Sequence, residues 1–209
     1  MITDFPSHFF YTSEASRFRV RPIHPSDKGL LQKGFGELSE RSKYLRLFEI
    51  NNKLSDVQLN YFTEVDGIQH VAWGILDESG ASPIPVAIGR FVKFKEEQDV
   101  AEVAITVIDS HQGKGLGRLL FATLNFIAGT MGLQKLRYYV LGENRFALNA
   151  LKKFNIISQK NEGTLTTLDI KVIPNHMAIP AGPKTQTFIS VMKTIEKEFG
   201  ISINRRQKG

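Results

Sequence analysis

The stretch VIDSHQGKGLGRLLFATLNF, residues 107–126, joins an apolar strand-like segment to an apolar helix-like segment through three alternate glycines. These glycines are Gly113, Gly115 and Gly117. The first amides of a helix have no partner inside the helix, and residues without side chains let an anion approach those amides closely. A strand, a glycine-rich turn and a helix start therefore predict a binding site for a phosphate-bearing cofactor. The alternative is a tight turn that requires glycine for steric reasons alone.

The segments before the glycines predict strands and helices. From 17 to 21 arginines alternate with apolar residues, which is the period of a strand with one solvent-facing side. Helical spacing of apolar residues predicts a helix within 26–48, although two glycines weaken this prediction. Ser55 with Gln58 forms a capping box at the start of the next helix. Short links between the next three strands favour an antiparallel meander. These strands are predicted over 69–76, 85–94 and 100–108.

The segments after the glycines complete a mixed α/β pattern. Residues 116–131 have the clearest helical spacing of the chain, and Gly132 ends this helix. The strand predicted over 136–141 is reached by a helical crossover, so we expect it to lie parallel to the strand before the glycines. A helix over 143–154 and a strand over 164–172 follow. We therefore expect a mostly antiparallel sheet flanked by helices, with one parallel pair around the glycine-rich turn.

The chain divides into a domain over 1–172 and a C-terminal extension over 173–209. The extension is irregular at first, and then has a short amphipathic helix, which we expect Gly200 to end, and a basic tail. Such an extension packs on its own domain or contacts a partner, including a second copy of the chain.

Composition excludes several chemistries. The chain has no cysteine, so it has no disulfide, no thiolate zinc site and no cysteine nucleophile. The five histidines show no ligand spacing, and we predict no metal. No signal peptide or membrane span is visible, which favours a cytoplasmic protein without membrane contact. The net charge of +6 indicates a mildly basic surface, and nucleic-acid binding by the arginines at 17–21 is a less favoured alternative.

The glycine pattern distinguishes three kinds of phosphate site. A nucleotide-binding P-loop requires Ser or Thr after Gly-Lys, which is absent here, and a dinucleotide-binding fingerprint has different glycine spacing near the start of its domain. Residues 112–117, Gln-Gly-Lys-Gly-Leu-Gly, match the Gln/Arg-x-x-Gly-x-Gly pattern of the GNAT superfamily, the acetyl-coenzyme-A-dependent N-acetyltransferases. The resemblance extends over residues 16–172, where the order of elements is that of the GNAT fold.

The resemblance implies an acetyl-CoA site and a general base. It implies that backbone groups of the strand bind the pantetheine arm and thioester, that the glycine loop holds the pyrophosphate, and that Asn144 binds on the pantetheine side. The implied strand residues are Ile105, Thr106 and Val107, and the implied loop residues are Gln112, Gly113, Lys114, Gly115, Leu116, Gly117 and Arg118. Glu102, on the strand before the loop, is the implied base.

A narrower similarity connects the chain with the bacterial protein lysine acetyltransferases that are found fused to cyclic-nucleotide-binding or acyl-CoA-synthetase-like domains. It is carried by residues 44–48, Tyr-Leu-Arg-Leu-Phe, and by Glu102. Two departures stand out. Leu151 occupies the place of a tyrosine that protonates the departing thiolate in many GNAT enzymes, which leaves the general acid unassigned. Asn155 and Ile156 replace the usual Gly-Phe.

These residues predict an N-acetyltransferase that acts on a primary amine. A lysine side chain has a pKa near ~10.4, so a base such as Glu102 must remove a proton before the amine can attack. Without cysteine, direct transfer in a ternary complex is favoured. Ser110 is a further nucleophile in principle, but the sequence shows no His–Asp partnership around it, and we expect His111 to be a loop residue.

The acceptor remains open between three readings. A protein lysine is preferred, a small amine is the alternative, and a non-catalytic acetyl-CoA-binding module is the third. An enclosed acidic pocket would indicate a small cationic amine, and an open groove would indicate a protein. Asp66, Glu64 and Glu102 are the acidic residues expected on the acceptor side.

Overall fold

The computed structural model describes residues 5–13, 16–48, 53–182 and 185–206. Its eight strands are β1 (Phe9–Ser13), β2 (Ser16–Pro22), β3 (His70–Asp77), β4 (Ile84–Lys93), β5 (Val100–Val107), β6 (Lys135–Leu141), β7 (Ile156–Glu162) and β8 (Leu165–Lys171). Its six α-helices are α1 (Lys28–Gly36), α2 (Glu40–Leu47), α3 (Asp56–Thr63), α4 (Leu116–Thr130), α5 (Arg145–Leu151) and α6 (Gln186–Arg206).

The eight strands form one mixed sheet in the order β1-β2-β3-β4-β5-β6-β8-β7. The predicted meander is confirmed, because β2, β3, β4 and β5 pair antiparallel in sequence order. The predicted parallel pair is also confirmed, since β6 lies parallel to β5 after the α4 crossover. The sequence reasoning missed β1 and β7, the two edge strands. Most β7 side chains are exposed, so this strand carries no alternating apolar pattern.

The parallel pair opens into a wedge immediately after it begins. β5 and β6 are in register over three residue pairs only, which end at Glu102 opposite Arg137. Residues 103–107 pair with β4 on their other side. Within the described residues, the edge of β5 that faces β6 is therefore free of a strand partner beyond Glu102. An unpaired strand edge presents amide and carbonyl groups to whatever fills the gap.

The helices lie in two layers on opposite faces of the sheet. A Cβ placed on Gly89 of β4 would lie 3.1 Å from Leu124 Cδ1 of α4 and 3.4 Å from Ile105 Cγ1, so α4 packs on the face to which Ile105 points. The other face, which carries Arg90 and Ala104, lies beside residues of α1, α2 and α3. α4 and α5 therefore flank one side of the wedge, and α1 to α3 cover the other side of the sheet.

Two helix predictions need correction. The region 26–48 forms two helices, α1 and α2, separated at Glu37–Ser39, where Ser39 accepts a hydrogen bond from the Ser42 amide and caps α2. The C-terminal helix does not end at Gly200 but continues to Arg206, because glycine disfavours a helix without forbidding it. The capping box of Ser55 and Gln58 is confirmed.

The helix of the extension shares the core of the domain. Phe188, Met192 and Phe199 of α6 are buried in the same cluster as Trp73 of β3, and the rings of Trp73 and Phe199 lie 5.5 Å apart. The extension thus contacts its own domain through α6, whereas residues 207–209 of the basic tail lie outside the described chain. Within the described residues, no helix combines the length and the apolarity needed to span a bilayer.

Candidate active site

The glycine loop leaves a row of amide groups free at the start of α4. Gly113 and Gly115 have φ of 79° and 85°, a left-handed conformation that favours glycine, and Gly115 is the N-cap of α4. Among the described residues, the amides of 113–118 donate to no protein acceptor, and the first bond into the helix is from the Leu119 amide to the Gly115 carbonyl. These amides lie at the N-terminus of α4, which is the positive end of the helix dipole, and such a position favours binding of a phosphate group.

The side chains of the loop differ in what they can offer a ligand. Lys114 and Arg118 are exposed, whereas Leu116 is buried, so that only its backbone is available. Gly117 does not have the left-handed backbone conformation, and a Cβ placed on it would contact only Val107 Cγ2, at 3.8 Å. The side-chain amide of Gln112 donates to the Val107 carbonyl at 3.3 Å, so Gln112 fixes the loop to the end of β5.

The remaining predicted residues lie on the two sides of the wedge. Ile105, Thr106 and Val107 belong to the part of β5 that has no β6 partner. Asn144 lies across the wedge, after β6, where its side-chain oxygen accepts from the Ala147 amide at 3.1 Å and caps α5. Its side-chain NH₂ is the part of Asn144 that is left for a ligand. The glycine loop and the free edge of β5 therefore lie on one side of the wedge, and Asn144 follows the strand that bounds its other side.

Glu102 lies at the closed end of the wedge, on the face covered by α1 to α3. It is half-buried, it pairs in register with Val92, and it precedes Ala104 by two residues on the same face. Two arginines that the sequence reasoning did not select, Arg46 of α2 and Arg90 of β4, share its electrostatic environment. Arg46 lies in the 44–48 segment that carries the similarity to protein lysine acetyltransferases, but no local pattern assigns it or Arg90 to a site beside Glu102.

The arginines carry closely spaced positive charges in a buried setting. Burial, followed by repulsion from Arg90, lowers the pKa of Arg46 to about 9, and Glu102 opposes this change. Burial also lowers the pKa of Arg90, against the attraction of Tyr61 and Glu102. At neutral pH both guanidinium groups remain charged, because even a pKa of about 9 leaves the protonated form in large excess.

A mainly apolar cavity of about 100 Å³ lies between the sheet and α1 to α3. Its walls include Leu38, Leu47, Phe62, Ile88, Ala104 and Thr106, and both Arg46 and Arg90 line it. The expected acidic residues do not line it. One carboxylate oxygen of Asp66 accepts from three backbone amides at 2.8 Å, and Glu64 pairs with Lys28 at 2.8 Å. The cavity on the expected acceptor side is therefore apolar and basic rather than acidic.

His111 lies in the loop after β5, as expected, but it has an aspartate partner that the sequence did not reveal. Its Nε2 lies 3.0 Å from Asp77 Oδ2 at the end of β3, and its Nδ1 lies 3.0 Å from the Ser110 hydroxyl. No local pattern predicts this contact, because Asp77 is 34 positions away. The pair joins the loop after β5 to β3, and Asp109 accepts from the Ser39 amide and hydroxyl at 3.0 Å, which joins the same loop to α2.

The place of the missing tyrosine is apolar. Leu151 is 7% exposed and belongs to the core. Tyr138, the first β6 residue beyond the paired segment, is buried, and its hydroxyl has no partner within the described residues. Burial raises the pKa of Tyr138, so the hydroxyl keeps its proton.

The arginines of β2 are engaged within the domain. Arg21 forms a bidentate pair with Asp27 at 2.7 Å, and the Arg17 guanidinium lies 3.9 Å from the ring centre of Phe10. These contacts give both side chains an intramolecular role.

Comparison with known proteins agrees with this geometry. A model of the acetyltransferase (GNAT) family matches residues 38–155. Acetyltransferase Pat of Mycolicibacterium smegmatis is 29% identical over 157 residues, which are 75% of this chain and 46% of that protein. The chain thus spans less than half the length of this curated relative.

Solved structures show the same fold. The GNAT domain of S. lividans PAT superposes with a TM-score of 0.70 at 23% identity, covering 80% of this chain and 99% of that chain. The structure of yncA, a putative acetyltransferase from Salmonella typhimurium with its cofactor acetyl-CoA, superposes with a TM-score of 0.58 at 16% identity, covering 79% and 98%. Since the family model matches more than half of the chain and includes the wedge strands and the glycine loop, the protein belongs to the GNAT acetyltransferase family.

Proposed function

We propose that the protein is an acetyl-CoA-dependent N-acetyltransferase that transfers the acetyl group directly to the side chain of a protein lysine. The observation that carries this proposal is the wedge between β5 and β6, which ends at a row of free amides. The acceptor class is supported by the likeness to acetyltransferase Pat and by the similarity to protein lysine acetyltransferases at residues 44–48.

The residues around the wedge fit acetyl-CoA. The free amides of 113–118 would hold its pyrophosphate, with added charge from Lys114 and Arg118. The unpaired edge of β5 at 105–107 would hydrogen-bond the pantetheine arm, and the NH₂ group of Asn144 would donate from the opposite side. When bound, acetyl-CoA supplies an activated acyl group as a thioester.

Glu102 is the proposed general base. A lysine ammonium cannot attack a carbonyl carbon until it loses a proton. Glu102 lies at the closed end of the wedge, on the face of the sheet that α1 to α3 cover. Its carboxylate accepts that proton, directly or through one water. The absence of cysteine from the chain removes a thiol acyl-enzyme route and favours direct transfer.

The test is incubation of the purified protein with labelled acetyl-CoA and a cell lysate, followed by analysis of modified proteins and small amines together. We expect label on protein lysines. Glu102→Gln should lower kcat by about 10²- to 10⁴-fold and leave the Kd for CoA unchanged. The matched control is Glu96→Gln, at an exposed position in the turn between β4 and β5. Full turnover by Glu102→Gln would refute the base assignment, and label on small amines alone would refute the protein acceptor.

A non-catalytic acetyl-CoA-binding module is the second candidate. The observation in its favour is Leu151, which replaces the tyrosine of many GNAT enzymes with a buried apolar side chain. This candidate predicts CoA binding by calorimetry with no transfer to any lysate component. A small polycationic acceptor is less favoured, because the cavity beside Glu102 is lined by arginines and apolar groups.

A further inference from the structure

Arg90 lies against two aromatic rings and keeps one N–H group without a partner. Its guanidinium carbon lies 4.2 Å from the ring centre of Phe62 and 5.0 Å from that of Tyr61, both on α3. A cation–π contact with a ring does not use the N–H donors of the guanidinium group, which stay available for hydrogen bonds. One of these donors, Nη1, is buried and has no hydrogen-bond partner within the described residues. A buried guanidinium N–H without an acceptor is costly, and a ligand that supplies an acceptor would remove that cost.

Within the described residues, ion pairs balance only part of the charge of the arginines that line the cavity. Arg21, which also lines the cavity, has Asp27 as a bidentate partner at 2.7 Å. In contrast, Arg90 has no carboxylate oxygen within 4.0 Å among the described residues. Arg46 lines the same cavity and is close enough to Arg90 for the two to repel each other. The single carboxyl group of Glu102 can offset at most one of these two positive charges.

The distance between Arg90 and Glu102 indicates how far apart an anion and an amine of one acceptor would be. Arg90 is the direct register partner of Ala104, and Glu102 lies two residues earlier on the same face of β5, roughly 7 Å along the strand. An amine that reaches Glu102 and an anion that reaches Arg90 would therefore lie close together in space, on one side of the sheet. This spacing suits two groups on the same or neighbouring residues of one acceptor.

We propose that Arg46 and Arg90 form a subsite for a carboxylate carried by the acceptor, next to the amine that is acetylated. The carboxylate binds the in-plane donors of Arg90 and balances the second positive charge, while the amine faces Glu102. In a protein acceptor, the carboxylate belongs to an acidic side chain adjacent to the target lysine. This inference rests on the proposed function and narrows its substrate class to lysines with an acidic neighbour.

The test uses two peptides that are identical except for the residue before their single lysine, Glu in one and Gln in the other. A hydrogen-bonded charge pair changes an equilibrium by about 10- to 100-fold, so we expect kcat/KM for the Glu peptide to exceed that for the Gln peptide by that factor. Arg90→Met should reduce the ratio to about twofold or less, since the fork and its charge are lost. Arg90→Lys, which keeps the charge without the fork, should give an intermediate ratio.

The matched control is Arg17→Met, because Arg17 also stacks on an aromatic ring but lies on β2, outside the residues that line the cavity. It should keep the wild-type ratio. A second pair, leucine and 3-methylbutylamine, asks whether the carboxylate is instead the α-carboxylate of a free amino acid. Preference for leucine with none between the peptides would overturn the protein-acceptor form of the subsite.

The outcomes separate this inference from the proposed function. If the wild-type enzyme labels lysate proteins but treats both members of each pair equally, the carboxylate subsite is wrong and the acetyltransferase proposal stands. If the peptide preference persists in Arg90→Met, with the Kd for CoA unchanged as a check on folding, Arg90 is not its source. If no protein, peptide or amine is labelled, the proposed function itself fails. The wild-type peptide ratio decides the issue even if a variant does not fold.

Discussion

Replacement of Gly115 and of Gly117 by alanine should change the free energy of unfolding in opposite directions. The difference tests why this loop is rich in glycine. Gly115 has φ of 85°, so a Cβ there is strained, and we expect Gly115→Ala to lower the free energy of unfolding by about 1–2 kcal/mol. Gly117 lies in the first turn of α4 in a right-handed conformation, with Val107 Cγ2 at 3.8 Å from the added Cβ. Since glycine disfavours a helix relative to alanine, Gly117→Ala should raise stability by about 0.5–1 kcal/mol.

The assays are urea denaturation and calorimetric titration with CoA, on both variants and the wild type. If the glycines exist to let a phosphate approach the amides, Gly117→Ala should weaken CoA binding by about tenfold or more while its stability rises, because a methyl group then projects beside the free amides. If Gly117→Ala binds CoA as tightly as the wild type, close approach at this position is not the reason for glycine. If Gly115→Ala is as stable as the wild type, the strain argument is wrong.

Three other predictions concern single side chains. Burial, with repulsion from Arg90, lowers the pKa of His70 to about 4, so its contribution to stability is complete above pH 6.5 and is lost as the pH falls from 6.5 towards 4. Urea denaturation over this range should show a loss on the order of 1–2 kcal/mol, allowing for partial exposure of the ring, and His70→Gln should remove most of the slope. Phe48 ends α2 with a φ of 60°, and its side chain is exposed. Phe48→Gly should therefore raise the free energy of unfolding by about 1 kcal/mol. A decrease would show that the contacts of the Phe48 side chain stabilise the fold by more than the backbone strain destabilises it. The Tyr138 hydroxyl is buried without a described partner, so Tyr138→Phe should leave the melting temperature unchanged or raise it, and a drop of several degrees would reveal a partner for the hydroxyl.

The central part of the fold was predictable because its signals are local. The helical spacing of α4, the glycines before it and the strand after it lie within about 35 consecutive residues, and a single helix between two strands is the usual connection of a parallel pair. The capping box of α3 is a four-residue pattern that depends on nothing distant. These features place the wedge and its loop.

The parts that could not be predicted depend on contacts between remote segments. β7 has few buried residues and so shows no periodicity, yet it pairs along β8. Arg46 lies in the 44–48 segment that carries the family similarity and Arg90 in a predicted strand, but they meet only because α2 packs over the face of β4 that Arg90 occupies. The same holds for Asp77, which contacts His111 across the ends of two strands that are not neighbours in the sheet.

The loop after β5 connects the two halves of the candidate site. Asp109 lies three residues before Gln112, and its carboxylate accepts from the Ser39 amide and hydroxyl and from the Ser42 hydroxyl at the start of α2. The same helix carries Arg46, one turn further along. The segment at the end of β5 therefore holds the glycine loop through Gln112. It also holds the start of α2, which lines the cavity between the sheet and α1 to α3. Because one short segment holds both, the positions of the free amides and of the Arg46 guanidinium are set relative to the same strand that carries Glu102.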